Sequence, residues 1–189
     1  MSLEQKINNL ETDLHIMGTL VLDSLVGAVR ALEDKDTLKA SEVMDKDDEI
    51  DDAYMKIDQD WFELMATEQP VASDLRLSTS ILQASLHLER LGDLSVYLGK
   101  TTHEIHDLPI PESLHKIVVE MGDMVIDMAS SALESLKNRD AELALSTARK
   151  DELINSLYNK MLNEVPNISG NKDLYSGLFR LITCVRTLE

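Results

Sequence analysis

The sequence predicts an all-α protein of six helices, arranged as two tandem three-helix bundles. Leu, Met, Ala, Glu and Lys dominate its 189 residues, whereas Gly and Pro are scarce (7 and 4). The dominant side chains lose little rotamer freedom on a helix. Apolar residues recur at alternating steps of three and four, which is the spacing of an amphipathic bundle helix. The pattern of the first half of the chain returns in the second half, which indicates a duplication.

The first three helices follow from this apolar spacing and from the residues that separate them. We expect them over about 3–34, 37–68 and 71–102. Thr37 can cap the second helix because its hydroxyl accepts from a free backbone N–H. Pro70 marks the turn before the third helix. On the third helix we expect an apolar flank to pack beside the core seam, formed by Leu75, Leu82, Leu86 and Val96.

A proline-containing linker divides the chain into two predicted domains. The segment 107–111 contains two prolines, which interrupt a helix. We therefore expect one three-helix repeat over 1–106 and a second over 107–189. In the second repeat one helix follows the linker, the next covers about 140–165, and the last begins near Lys172.

Self-comparison aligns the two repeats at a shift of 104 residues, which becomes 100 in the last helix. The repeated aspartate of the second helix interrupts an apolar seam in both copies, and such a duplicated charge is unlikely to arise by chance. The counterpart of Asp93 would be residue 193, so the second repeat is expected to be truncated at its C-terminus. The clearest matches are Met17-Gly18 with Met121-Gly122, Lys46-Asp47 with Lys150-Asp151, and Leu88-Glu89 with Leu188-Glu189.

Two pairs of acidic residues in the first repeat are candidate metal ligands. Asp47/Asp51 and Glu89/Asp93 are each spaced by four residues, so both members project from one helix face. They lie on or beside an apolar seam, where a charge loses water and becomes costly. A cation between the helices would offset that cost, and carboxylates suit hard cations such as iron, manganese, magnesium or calcium.

The second repeat offers a less complete set of ligands. Asp151 and Glu189 correspond to Asp47 and Glu89, but Asn155 replaces Asp51. An amide binds a cation more weakly than a carboxylate does, so a second site should be weaker or differently built. The alternative for all these acids is a solvated surface, because a helical chain with 35 acidic residues forms several such pairs by chance.

Other motifs give little support for an enzyme. Glu112 and His115 form one Glu-x-x-His match, whereas ferritin-like oxidases need two such motifs and two further glutamates. The sequence contains no Gly-rich phosphate loop, nucleophile elbow or Cys-x-x-Cys. A carboxylate-bridged metal oxidase and a metal-free helical adaptor are the two alternatives to a non-enzymatic metal-binding protein.

Charge and cysteine content restrict the partners and the compartment. The net charge of −17 disfavours nucleic acid and anionic lipid headgroups. A single cysteine excludes an internal disulfide, and the sequence shows neither a signal peptide nor an apolar stretch of about 20 residues. These features suit a protein of the reducing cytoplasm.

Three segments of the chain resemble the PhoU family of phosphate-uptake regulators. They are the turn Gln69-Pro70-Val71-Ala72-Ser73-Asp74-Leu75-Arg76, the run Leu88-Glu89-Arg90-Leu91-Gly92-Asp93, and Asp47-Asp48-Glu49-Ile50-Asp51. The resemblance implies a non-enzymatic negative regulator that links a phosphate ABC transporter to a sensor histidine kinase. It also implies a cytoplasmic location, in contact with the inner membrane face at most. It also implies metal binding through D/E-x-x-x-D motifs, with iron as the first choice and manganese, magnesium or zinc as alternatives. An uncovered apolar helix face would favour a homodimer.

Overall fold

The computed structural model describes the backbone of residues 1–165 and 172–188 and the side chains of 1–165 and 172–183. This part of the chain is helical and contains no strand, which confirms the all-α prediction. All six predicted helices are present, although two of them are interrupted, so that eight segments result. They are α1 (Leu3–Asp34), α2 (Thr37–Asp45), α3 (Asp47–Glu68), α4 (Ala72–Ile105), α5 (Glu112–Asn138), α6 (Ala141–Ala148), α7 (Asp151–Glu164) and α8 (Lys172–Leu188).

The second and fifth predicted helices are broken at equivalent positions, which the sequence did not predict. Lys46 separates α2 from α3, and Arg149 and Lys150 separate α6 from α7. At each break the backbone N–H of the lysine donates to a carbonyl three residues earlier, at 3.2 Å for Lys46 and 3.0 Å for Lys150. Hydrogen bonds that span three residues instead of four tighten the turn and interrupt the α-helical hydrogen-bond pattern. Each break places an aspartate at the first position of the next helix.

The turns that precede these helices are also duplicated. Lys35 ends α1 and Arg139 ends α5, both in the left-handed conformation with φ of 54° and 53°. Asp36, rather than the predicted Thr37, caps α2 by accepting two backbone N–H groups at 3.0 and 3.1 Å. Asp140 caps α6 by accepting one at 2.9 Å. The repeat seen in the sequence therefore extends to the conformation of the turns.

The two repeats meet through equivalent surfaces of α1 and α5. A Cβ atom on Gly18 would lie 2.7 Å from Leu133 Cδ2, and one on Gly122 would lie 2.7 Å from Val29 Cγ2. These two contacts exchange under the 104-residue shift. The helices therefore cross about a local pseudo-two-fold axis, and a glycine at each point permits the close approach.

The apolar core forms two clusters. One joins the first half of α1 to α3 and to the first half of α4, with Leu10, Ile57 and Ile81 fully buried. The other joins the second half of α1 and the end of α4 to the second repeat, with Leu25 and Met121 fully buried. The second cluster therefore spans the predicted domain boundary, so the two repeats share apolar packing across it.

The long core helix α1 is more apolar than expected, since the sequence predicts no apolar stretch long enough to cross a membrane. Of the described helices, only α1 is long and apolar enough to cross a membrane by length and composition. Half of the residues in that apolar stretch are buried inside the protein. Its apolar character is accounted for by its central position, since it packs against both repeats.

The apolar flank expected on α4 lies beside the core. Leu75 and Leu86 are 42% and 37% exposed, whereas Leu82 and Val96 are half-buried. Besides Ile81 and Leu88, the buried face of α4 carries small residues at intervals of seven, namely Ser78, Ser85 and Gly92. Small residues let the neighbouring helices approach closely, and the buried serine hydroxyls donate to backbone carbonyls of the preceding turn.

Candidate functional site

The four acidic residues predicted in the first repeat lie around a close contact between α3 and α4. A Cβ on Gly92 would lie 3.1 Å from Ile50 Cγ2, so the two helices almost touch there. Asp47 and Asp51 stand three residues before and one residue after Ile50. Glu89 and Asp93 occupy the same positions relative to Gly92. The glycine thus allows the two acid pairs to face one another across the helix contact.

Electrostatic effects show that the two pairs act on each other. Burial raises the pKa of Asp47 above its usual value, and the charges of Asp51 and Asp93 raise it further. Burial likewise raises the pKa of Glu89, followed by the charges of Asp93 and Asp51. Asp47 and Glu89 are half-buried, whereas Asp51 and Asp93 are exposed. The site is therefore a partly desolvated acidic rim rather than a closed pocket.

Basic side chains do little to neutralise this rim. Lys100 lowers the pKa of Asp47 and Arg90 lowers that of Glu89, but each effect is smaller than those of the two strongest neighbouring carboxylates. Within the described side chains, none of the ion pairs involves any of the four acids. The negative charge is therefore available to a cation or to a basic partner.

As a metal site, the rim fits in donor chemistry but forms no ready coordination shell. Carboxylate oxygens suit hard cations. Among the described residues, however, no group of three or more His, Cys, Asp or Glu side chains lies close enough together to hold an ion. Binding a metal here would require the carboxylates to change rotamer, which the exposed Asp51 and Asp93 are free to do.

The second repeat neutralises its acid in a different way. Asp151 begins α7 as Asp47 begins α3. Its carboxylate Oδ2 accepts a hydrogen bond of 3.0 Å from the side-chain amide of Asn155. The amide of Asn155 therefore partly compensates the charge of Asp151. The first repeat has no such donor, because Asp51 occupies the equivalent position. Glu189, the remaining predicted ligand, lies outside the described residues.

An apolar cavity of about 220 Å³ lies beside Asp151. Its lining includes Val125, Met128 and Ile154 from the second repeat and Leu91 from α4. The position corresponds to the helix contact that Ile50 makes in the first repeat. Sequence reasoning did not predict this cavity, because apolar spacing alone does not tell how fully a seam is filled.

The Glu-x-x-His match is occupied by other interactions. Glu112 pairs with Lys116 at 2.6 Å, and this hydrogen bond lowers the pKa of Glu112. His115 Nε2 lies 2.9 Å from the backbone carbonyl of Leu32, and so ties α5 to the end of α1. The structure therefore gives both residues a role in holding helices together.

The turn between α3 and α4 is conformationally unusual. Gln69 and Ala72 both have positive φ, of 47° and 50°, which non-glycine residues seldom adopt. Pro70 between them is buried, whereas Arg76 is exposed on the first turns of α4. Positive φ at two such residues stores strain in the hairpin turn. The sequence indicated the turn through Pro70 but not its backbone conformation.

These features define a class: a duplicated helical-bundle protein whose first repeat presents an acidic rim on two adjoining helices. The PhoU domain model matches residues 14–102 and 118–189, one match in each repeat. The chain belongs to the PhoU family.

Curated relatives agree with this assignment over nearly the whole chain. A phosphate-specific transport system accessory protein PhoU homolog of Clostridium acetobutylicum is 31% identical, covering 98% of this chain and 85% of that protein. The homolog of Pseudomonas aeruginosa is also 31% identical, covering 97% of this chain and 76% of that protein.

Solved structures agree as well. The crystal structure of PhoU from P. aeruginosa superposes with a TM-score of 0.92 at 30% identity, over 99% of this chain and 90% of that one. The phosphate transport system regulatory protein PhoU from Streptococcus pneumoniae gives a TM-score of 0.81 at 24% identity, over 99% and 93%. The second match supports the fold alone.

Proposed function

We propose that this chain is an accessory protein of a phosphate-specific transport system, acting as a negative regulator of phosphate uptake and phosphate-starvation signalling. The observation that carries the proposal is the likeness to relatives with that name over 97–98% of the chain. In this role the protein is a non-enzymatic cytoplasmic adaptor, which connects the ABC transporter to a sensor histidine kinase. We further propose that it works as a homodimer.

A reporter strain tests the regulatory role. In a host whose own homologue has been deleted, expression of this chain should restore repression of a phosphate-starvation promoter when phosphate is plentiful. The same strain lacking the transporter should not respond, because an adaptor needs both partners. Constant promoter activity with and without the chain, at matched protein levels, would contradict the proposal.

Direct association is tested with purified proteins. The chain should co-elute with the ATP-binding subunit of the transporter and, separately, with the cytoplasmic part of the kinase. Light scattering on the chain alone tests the homodimer, for which a mass near twice 21.2 kDa is expected. A mass of one chain at all concentrations would rule out the homodimer without affecting the regulatory proposal.

We also propose that the acidic rim of Asp47, Asp51, Glu89 and Asp93 binds a hard cation, iron before manganese, magnesium or zinc. The supporting observation is that the four carboxylates repel one another across α3 and α4 with little basic compensation. A bound cation would remove that repulsion and fasten the two helices together. The second repeat should bind more weakly, because Asn155 already satisfies Asp151.

Elemental analysis tests the cation. Wild-type protein reconstituted with ferrous iron should retain metal after desalting, whereas a variant with amides at all four positions should retain none. An Asp52→Asn/Asp58→Asn variant removes exposed charges from α3 outside the rim and should retain the wild-type amount. Equal metal in the wild type and the four-amide variant would show that the rim is not the site.

A further inference from the structure

The third helix of the first repeat carries an apolar line that faces outward. Leu75, Leu82 and Leu86 follow one another at steps of seven and four, which places them on one face of α4. Leu75 and Leu86 are 42% and 37% exposed, and Leu82 is half-buried. We call these three residues the outer line. They lie beside the core face of α4 rather than within it.

The second repeat matches the outer line at one exposed position. Under the 100-residue shift, Leu75 corresponds to Tyr175, which is 47% exposed, and Leu82 to the half-buried Ile182. Leu86 corresponds to Arg186, so the outward apolar line as a whole belongs to the first repeat. A single exposed apolar residue needs no explanation, whereas several on one face mark a candidate contact surface.

The outer line leads directly into the acidic rim. The next steps along the same face of α4, of three and four residues, reach Glu89 and Asp93. Asp51 of α3 is close enough to raise the pKa of Glu89, so α3 adds negative charge at the same end. The hairpin of α3 and α4 therefore has one face that is apolar near its turn and anionic farther along.

We infer that this face of α4, from Leu75 to Asp93, docks an amphipathic helix with lysine or arginine residues on a protein partner. Anchors at such spacing are typical of helix-on-helix recognition, and charge complementarity selects a cationic partner. The face spans about 27 Å at 1.5 Å per residue, which suits a partner helix of about five turns. The inference names the kind of partner for the accessory role proposed above, and it rests on that role.

A membrane surface fits the same face less well. An amphipathic protein face that binds lipid usually combines apolar residues with lysine and arginine, because cytoplasmic leaflets are anionic. Here the apolar residues adjoin carboxylates on a chain of net charge −17. A basic helix meets both the apolar and the charged requirement.

A synthetic peptide provides the test. The probe is an 18-residue helix with leucine at heptad positions and lysine elsewhere, and the comparison peptide has glutamate in place of lysine. Binding is followed by the fluorescence anisotropy of a dye attached to the peptide. Chelator is present throughout, so that the result does not depend on the proposed metal.

We expect the lysine peptide to bind and the glutamate peptide not to bind. The Leu75→Ser/Leu86→Ser variant should weaken the lysine peptide at least about tenfold, as loss of anchor residues does. The matched control, Ile16→Ser/Leu38→Ser, removes apolar residues that are 54% and 79% exposed elsewhere, and should bind as the wild type. Glu89→Gln/Asp93→Asn should weaken binding and reduce its dependence on salt.

Three outcomes would overturn the inference. Equal weakening in the outer-line variant and its control would mean that the peptide is held only by general charge attraction. Equal binding of both peptides would remove the charge argument. Self-association of the wild type that the Leu75→Ser/Leu86→Ser variant abolishes would show that a second copy of the chain covers this face. None of these results bears on the reporter assay, so a failure of the inference and a failure of the proposed function can be told apart.

Discussion

Replacing Asp51 by Asn should stabilise the metal-free protein at neutral pH. The substitution transfers to the first repeat the arrangement of the second, where Asn155 donates to Asp151 at 3.0 Å. In the wild type, the charge of Asp51 raises the pKa of both Asp47 and Glu89, which means that ionised Asp51 disfavours their ionised forms. Asparagine removes this repulsion and supplies a donor to Asp47. The reciprocal Asn155→Asp change should destabilise the protein.

The size of the effect follows from two contributions. A like-charge pair spaced by four residues costs about 0.2–0.5 kcal/mol on a helix. A hydrogen bond to a charged group contributes about 1.5–3 kcal/mol when buried, but Asp51 is exposed, so we take only about 0.5 kcal/mol. The sum is about 1 kcal/mol, or roughly 2–4 °C in Tm for a chain of this size.

The pH dependence has a definite sign. Because the pKa of Asp47 is raised in the folded state, the folded protein binds protons more readily than the unfolded chain, and ionisation of Asp47 costs stability above that pKa. The advantage of Asp51→Asn should therefore be complete at pH 7. It should disappear as the pH falls through the raised pKa toward the ordinary value of about 3.9, where the carboxylates become protonated.

Thermal unfolding by calorimetry, in chelator at pH 7 and pH 3.5, measures this difference. Asp52→Asn is the matched control, because it removes the same charge from the neighbouring exposed position of α3. The reasoning fails if Asp51→Asn is no more stable than Asp52→Asn at pH 7. Repeating the measurement with ferrous iron distinguishes the metal-free rim from the metal-bound rim. A bound cation should make the wild type more stable than Asp51→Asn.

Further predictions concern the duplicated scaffold. Gly18→Val and Gly122→Val should each destabilise the protein by about 1–3 kcal/mol in urea unfolding, because a fixed Cβ would overpack the contact of α1 with α5; Ser130→Val, at an exposed position of α5, should cost under about 1 kcal/mol. Because valine has a higher helix propensity than glycine, a gain in stability at Gly18 and Gly122 would show that packing of these contacts does not decide the outcome. Asp36→Ala and Asp140→Ala should each cost about 0.5–2 kcal/mol by loss of a helix cap, with more at Asp36, which accepts two N–H groups rather than one. The opposite order of the two cap variants would count against this comparison.

The fold could be predicted because the signals that set it are local or repeated. Spacing of apolar residues identified every helix, and the 104-residue shift identified the duplication. The breaks at Lys46 and Lys150 could not be found in this way, because neither contains proline or glycine and the apolar pattern continues through them. The breaks depend on how α2 and α3 pack against the other helices, which is a tertiary effect.

The candidate site was predictable only in part. Spacing placed each acid pair on one helix face, but it could not tell that the two pairs face one another. That depends on the approach of α3 to α4, which Gly92 permits against Ile50. The buried face of α4 was likewise predictable only in part. Apolar spacing identified the buried Ile81 and Leu88, but it could not identify Ser78 and Ser85, which are small and polar and yet fully buried on the same helix.

The comparison of the two repeats assigns different roles to scaffold and rim. Structural features recur in both: the glycine contacts of α1 with α5, the aspartate caps, and the helix breaks. The acid pair of the second helix does not recur, because Asn155 has replaced an aspartate and satisfies Asp151 internally. If the carboxylates served only to solubilise the protein, nothing would favour leaving four of them opposed in one repeat and pairing an acid with an amide in the other. The repulsion retained around Ile50 and Gly92 therefore supports the proposal that the first repeat binds positive charge.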